Sequence, residues 1–130
     1  MPMLNLEPLA ATSAMALVRA APGAENLIRR ALHILAEQGC FALGLFLASR
    51  GRHADIQAAR GLHRALHELL SQADLVTPNL EAPPLNPGYY RDLVTSRQDE
   101  SDEAALYRLL LTRHLLDRTL TYAVFYAKSH

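Results

Sequence analysis

The sequence predicts an all-α fold: a bundle of five to six helices, forming a single helical domain over residues 1–130. Three observations carry that expectation. Alanine and leucine dominate a chain that is 50% hydrophobic and poor in β-branched residues, a bias toward helix. Apolar side chains recur three and four residues apart over most of the length. Finally, Cys40–Ala48 (CFALGLFLA) runs without a charge. A helix that is apolar all round must be enclosed by neighbours, and this stretch falls far short of the roughly 20 residues that cross a bilayer. Cys40–Ala48 is therefore expected as a central buried helix with the others wrapped around it.

Taken in order, Pro8–Ala21 reads as an Ala-rich helix, with Pro8 suited to its first turn and Leu9, Leu17 and Val18 available to pack. Ala21-Pro22-Gly23 ends it. Ala24–Gln38 follows, with Ile28, Ala31, Leu32, Leu35 and Ala36 on one face, and Arg29, Arg30, Glu37 and Gln38 on the other. Gly39 suits a left-handed helix end or a kink into Cys40–Ser49. Gly44, costing about 1 kcal/mol in a helix, implies a close helix–helix contact. Asp55 is a candidate N-cap for Ile56–Ala73, whose stripe is Ile56, Ala59, Leu62, Leu66, Leu69, Leu70 and Ala73. Residues 74–88 contain Pro78, Pro83, Pro84 and Pro87 and read as a loop. Connections of that length tend to be functional or mobile. Tyr89–Arg97 is a short helix. Ser101 caps a long last helix, Asp102–Ala127, with a stripe at Leu106, Leu109/Leu110, Leu116, Leu120, Ala123/Val124 and Ala127.

Formal charge is zero, which argues against a protein that coats polyanions generally. The charge is nevertheless unevenly placed: residues 26–73 carry net +3 and residues 74–107 net −5. A single cysteine permits no internal disulfide, so a reducing cytoplasm is the expected compartment. The N-terminal stretch has no basic region and carries Glu7, unlike a signal peptide. No stretch is long and apolar enough to predict a membrane partner.

Few residues suggest catalysis. His63 and His67 have metal-ligand spacing, but Arg-Ala-Leu lies between them in place of a zinc-protease glutamate. They are expected as polar residues on a solvated or RNA-facing edge, beside Arg60 and Arg64. Cys40 opens the most apolar helix and is expected to be buried and structural. Tyr89-Tyr90 and Tyr122/Phe125/Tyr126 could stack on bases, though their helical spacing favours packing. No cofactor or metal is expected, and no enzymatic activity. The basic set is more informative. Arg29, Arg30, Arg50, Arg52, Arg60 and Arg64 fall within 36 residues, opposed in that span by only Glu37 and Asp55. They are candidate RNA-backbone contacts, with Arg113 and Arg118 on the last helix as secondary candidates.

The chain resembles the small helical subunit of type III-B CRISPR effector (Cmr) complexes. Gln38-Gly39-Cys40-Phe41-Ala42-Leu43-Gly44-Leu45-Phe46-Leu47 is similar to that family's central buried helix. Leu62-His63-Arg64-Ala65-Leu66-His67-Glu68-Leu69-Leu70 is similar to its next helix, and Tyr107-Arg108 through Phe125, Ala127 and Lys128 to its long last one. The family's terminal tryptophan has no counterpart, and its late lysine-arginine is here Ala123-Val124. The resemblance implies a structural subunit without catalytic residues. Its copies would stack along a ribonucleoprotein filament beside other subunits and hold guide RNA paired with target RNA. A helical adaptor without a nucleic-acid partner is the alternative.

Overall fold

The computed structural model describes residues 7–20, 23–50, 53–76, 84–95, 97 and 99–129. It is all-helical over these residues: α1 (Glu7–Ala20), α2 (Glu25–Gln38), α3 (Cys40–Ala48), α4 (His53–Gln72), α5 (Pro87–Leu93) and α6 (Asp102–Ser129). The expected helical bundle is therefore the fold. Helix α6, at 28 residues, spans roughly 42 Å and packs along α1 and α2. Helix α4 packs against α1 on one side and α3 on another, while α3 lies against α2 and α5. One cluster of buried apolar side chains draws on all six helices.

Local chemistry accounts for the breaks. Gly39, at φ +92°, sits between α2 and α3 in a conformation that residues with a Cβ rarely adopt. Gly44 makes the close contact that its cost implied. A Cβ there would lie 2.7 Å from the Tyr90 side chain on α5, so only glycine lets α3 and α5 approach this far. The Ser101 hydroxyl accepts from the Ala104 N–H at 3.1 Å and caps α6.

Several expectations are corrected. Asp55 is not a cap, because α4 already begins at His53 and places Asp55 in its first turn, where an acid still suits the helix dipole. Helix α5 covers Pro87–Leu93 rather than Tyr89–Arg97: Asn86 caps it by accepting from the Gly88 N–H at 2.6 Å, and Pro87 fills its first turn. Helix α3 is not sheathed on every side. Cys40, Leu43, Gly44, Phe46 and Leu47 are buried, but Phe41 and Leu45 are 41% and 48% exposed. Helix α4 is the better enclosed: besides its leucine stripe, Gly61 and Ala65 on one side and His63 and His67 on another are buried. In α6 the expected stripe holds over Leu116, Leu120, Ala123 and Val124. It fails earlier, where Leu106 and Leu110 are 57% and 60% exposed and Ala105, Arg108 and Thr112 turn inward instead.

Candidate nucleic-acid interface

The exposed edge of α4 carries Arg60 and Arg64 one turn apart. Arg50 lies just beyond the end of α3. Together with Leu47, Ala48, Ile56, His63, Pro84 and Leu85 these arginines line a groove of about 450 Å³. No acidic side chain is among the described residues lining it. Arg50 is held in place: its Nε donates to the Phe46 carbonyl at 3.0 Å and its Nη2 to Ser49 Oγ at 3.0 Å. A cation at that position also suits the negative end of α3. Its guanidinium lies 4.0 Å from the centre of the Phe46 ring, and Arg30 from α2 reaches the same ring at 5.1 Å. Each contact is attractive on its own. The two cations repel one another, so an anion beside them would relieve that repulsion.

The fold thus brings Arg50, Arg60 and Arg64 to one groove and Arg30 to the ring that Arg50 also covers, and it treats the other candidates differently. Arg29 pairs with Glu25 one turn back on α2, at 2.7 Å in an exposed pair. Arg113 donates to the carbonyls of Leu35 (3.3 Å) and Ala36 (2.8 Å), closing the C-terminal end of α2. Arg118 pairs with Glu7 at 3.3 Å, donates to the Tyr122 hydroxyl at 2.6 Å and lies over that ring. The Tyr122 hydroxyl also donates to Glu7. The hydrogen bond from Tyr122, then that from Arg118, lowers the pKa of Glu7 below its ordinary value. Arg52 lies outside the described residues.

His63 and His67 do not stand on a solvated edge. Both are 2% exposed. His63 Nδ1 is 2.9 Å from the Tyr90 hydroxyl, and His67 Nδ1 is 2.9 Å from the Tyr89 hydroxyl. The rings pack edge-on or tilted, with His63 and Tyr89 centroids 4.9 Å apart. These paired contacts tie α5 to α4, and of the four residues His63 also lines the groove. Burial lowers the pKa of His67, against the opposing charge of Glu68. It raises those of both tyrosines. Tyr89 and Tyr90 are therefore packing residues here, and only Tyr90 is fully buried. Cys40 is buried as expected, its thiol pushed up by desolvation, with Arg113 opposing.

Sequence reasoning missed Arg108, whose side chain is 8% exposed. Its Nε and Nη2 donate to the Glu100 carboxylate at 2.8 and 3.0 Å. Its Nη1 donates to Leu93 O at 3.0 Å and its Nη2 to Thr95 O at 2.8 Å. The hydrogen bond from Arg108, helped by the Arg97 N–H, holds the Glu100 carboxyl down at about 2. Arg97 in turn donates to Leu75 O at 2.8 Å. The only signal was positional: Arg108 lies three residues after Ala105 and four before Thr112, on the stripe that faces inward.

Among the described residues no group of three or more His, Cys, Asp or Glu side chains converges on a point that could hold a metal ion. No described helix is long and apolar enough to cross a membrane. No protein-family model, curated protein or solved structure matches the chain.

Proposed function

We propose that the chain is a non-catalytic subunit of a ribonucleoprotein and contacts RNA through its backbone. Within that class, the resemblance in sequence points to the small subunit of a type III-B CRISPR effector, acting in the cytoplasm. In this reading guide and target RNA are recognised by base pairing with each other. This subunit supports the paired strands through phosphate contacts that read no sequence. Cleavage belongs to another subunit. The observation that carries the reading is the convergence of Arg50, Arg60 and Arg64 on one groove whose described lining contains no carboxylate, with Arg30 beside it on Phe46. Copies of the chain stacking through unlike charges are consistent with its uneven charge distribution.

The test is the double variant Arg60→Glu/Arg64→Glu. RNA affinity is expected to fall by roughly tenfold or more, and the slope of log affinity against log salt to shrink by about two. The helical circular dichroism should be unchanged. Unaltered RNA binding in a folded double variant rejects the groove as the interface.

One observation favours a second reading, an adaptor that binds only protein. Leu106, Tyr107 and Leu110 are more than half exposed on the first half of α6, more apolar surface than one solvated helix face needs. Affinity purification with and without nuclease separates the two. RNA co-purifies under the first reading, and the partners survive nuclease unchanged under the second.

A further inference from the structure

Helix α6 carries two stripes on opposite sides. One, through Ala105, Arg108, Thr112, Leu115 and Leu116, is buried in the bundle. The other, Glu103, Leu106, Leu110 and Arg113, falls within about 80° of arc and is exposed at every position. Its alternating three- and four-residue steps are those of a coiled-coil seam. Tyr107 flanks it, and Leu106, Tyr107 and Leu110 are each more than half exposed. The seam is acidic at its start and basic at its end: Asp102 and Glu103 precede the leucines, and Arg113 and His114 follow them. Arg113 donates to two carbonyls of α2, which carry no net charge and leave its own intact. This order of charge is complementary to itself reversed. Set antiparallel, with Leu106 of one copy level with Leu110 of another, two such helices bring Glu103 level with Arg113 at both ends. A parallel pair would instead oppose Glu103 to Glu103 and Arg113 to Arg113. Asp117, next along the seam, falls level with Asp99, ahead of the opposing α6, where the positive end of that helix offsets part of the repulsion.

We infer that a second copy of this chain covers the exposed stripe, through an antiparallel α6–α6 contact about a two-fold axis level with Arg108. Leu106, Tyr107 and Leu110 of each copy form its centre, and a Glu103–Arg113 pair closes each end. An unrelated partner would have to match that order of charge by coincidence, whereas a second copy supplies it by symmetry. The contact is isologous, so it ends at two copies; head-to-tail stacking would need other surfaces. It holds whether or not the chain binds RNA, because Arg50, Arg60 and Arg64 take no part in it. The seam is shorter than a standard interface of about 800 Å² per partner. The pair is accordingly weak, with a dissociation constant of roughly 10 µM to 1 mM.

The experiment is sedimentation equilibrium of the full chain at low ionic strength across that concentration range. The average mass is expected to rise from that of one chain, 14.4 kDa, toward twice that value and no further. Leu110→Glu places carboxylates at the centre of the contact and should weaken association about tenfold or more. Glu103→Arg sets like charges at both ends and should weaken it about fivefold. Adding Arg113→Glu to the same chain restores opposite charges and should recover most of that loss. A parallel pair would respond to neither charge change, since each leaves like facing like. A chain that stays a single copy up to about 1 mM overturns the inference and leaves the stripe to a different protein. Association that continues past two copies, survives Leu110→Glu or is unchanged by Glu103→Arg overturns it too, as does a folded double variant that recovers nothing. If the double variant loses its helical signal, Leu110→Glu and Glu103→Arg decide, both being changes at exposed positions. None of these outcomes alters the RNA-binding reading, which rests on the groove.

Discussion

The arginines of α6 and those around the groove have the same chemistry and opposite surroundings. Arg108, Arg113 and Arg118 spend their donors inside the molecule: on Glu100 and two carbonyls, on the end of α2, and on Glu7 and Tyr122. Arg60 and Arg64 stand exposed on α4, while Arg50 is oriented toward a cavity by the Phe46 carbonyl, the Ser49 hydroxyl and the Phe46 ring. A guanidinium has five donors in a rigid fork. Whether it can take a partner's phosphate depends on how many of them the fold has already used. Counting basic residues along the chain cannot register that difference.

The sharpest way to break the comparison is at its most occupied member. Arg108→Ala removes the hydrogen bonds that join Glu100, Leu93 and Thr95 to α6. The melting temperature followed by circular dichroism is expected to fall by roughly 10 °C or more, the scale of losing one partner from a buried charged network.

Acid should act on the same network. The Glu100 carboxyl sits at about 2 in the folded chain against an ordinary 4.5, so the unfolded chain takes up its proton first. Stability from this group is complete above pH 4.5 and is lost as pH falls toward about 2. His67 adds an earlier decline. Its pKa is lowered by burial from 6.5, so its contribution is intact above pH 6.5 and is lost as pH falls through its folded value. Urea midpoints measured against pH should fall in both windows. Glu100→Gln should flatten the lower one and His67→Gln the upper.

The smallest effects on stability separate the two sets most directly. Arg113→Ala gives up two bonds to carbonyls at a helix end and should cost about 1 kcal/mol by urea titration. Arg60→Glu/Arg64→Glu should stay within about 0.5 kcal/mol of the unaltered chain, as exposed substitutions do where no described residue pairs with the side chain. A double variant destabilised as much as Arg113→Ala would mean that the groove arginines also hold the fold together.

Much of the architecture was legible in the residues. Gly39, Ser101 and the leucines of α4 announced their roles because each rests on short-range backbone chemistry or on a clean helical period. Gly44 announced that something must approach it, and only the fold identified Tyr90. The histidines misled for a related reason. Spacing put His63 and His67 on one face of α4, and polarity suggested water. Tyr89 and Tyr90, more than 20 residues away, supplied the hydroxyls that let both be buried. The first half of α6 misled in the same way, since hydropathy cannot anticipate an inward arginine whose partners come from Leu93, Thr95 and Glu100. Of the candidate interface, the identity of the arginines was readable and their grouping was not.

Composition and periodicity by themselves determined that this chain is helical, where most of its helices begin and end, and that its basic residues cluster between α2 and α4. Those properties follow from interactions a few residues long. Tertiary packing alone decided which face of α6 turns inward, that the histidines belong to the interior, and which arginines remain available to a partner. Each of those outcomes depends on donors and acceptors brought together from distant parts of the chain, and no local pattern encodes which will meet.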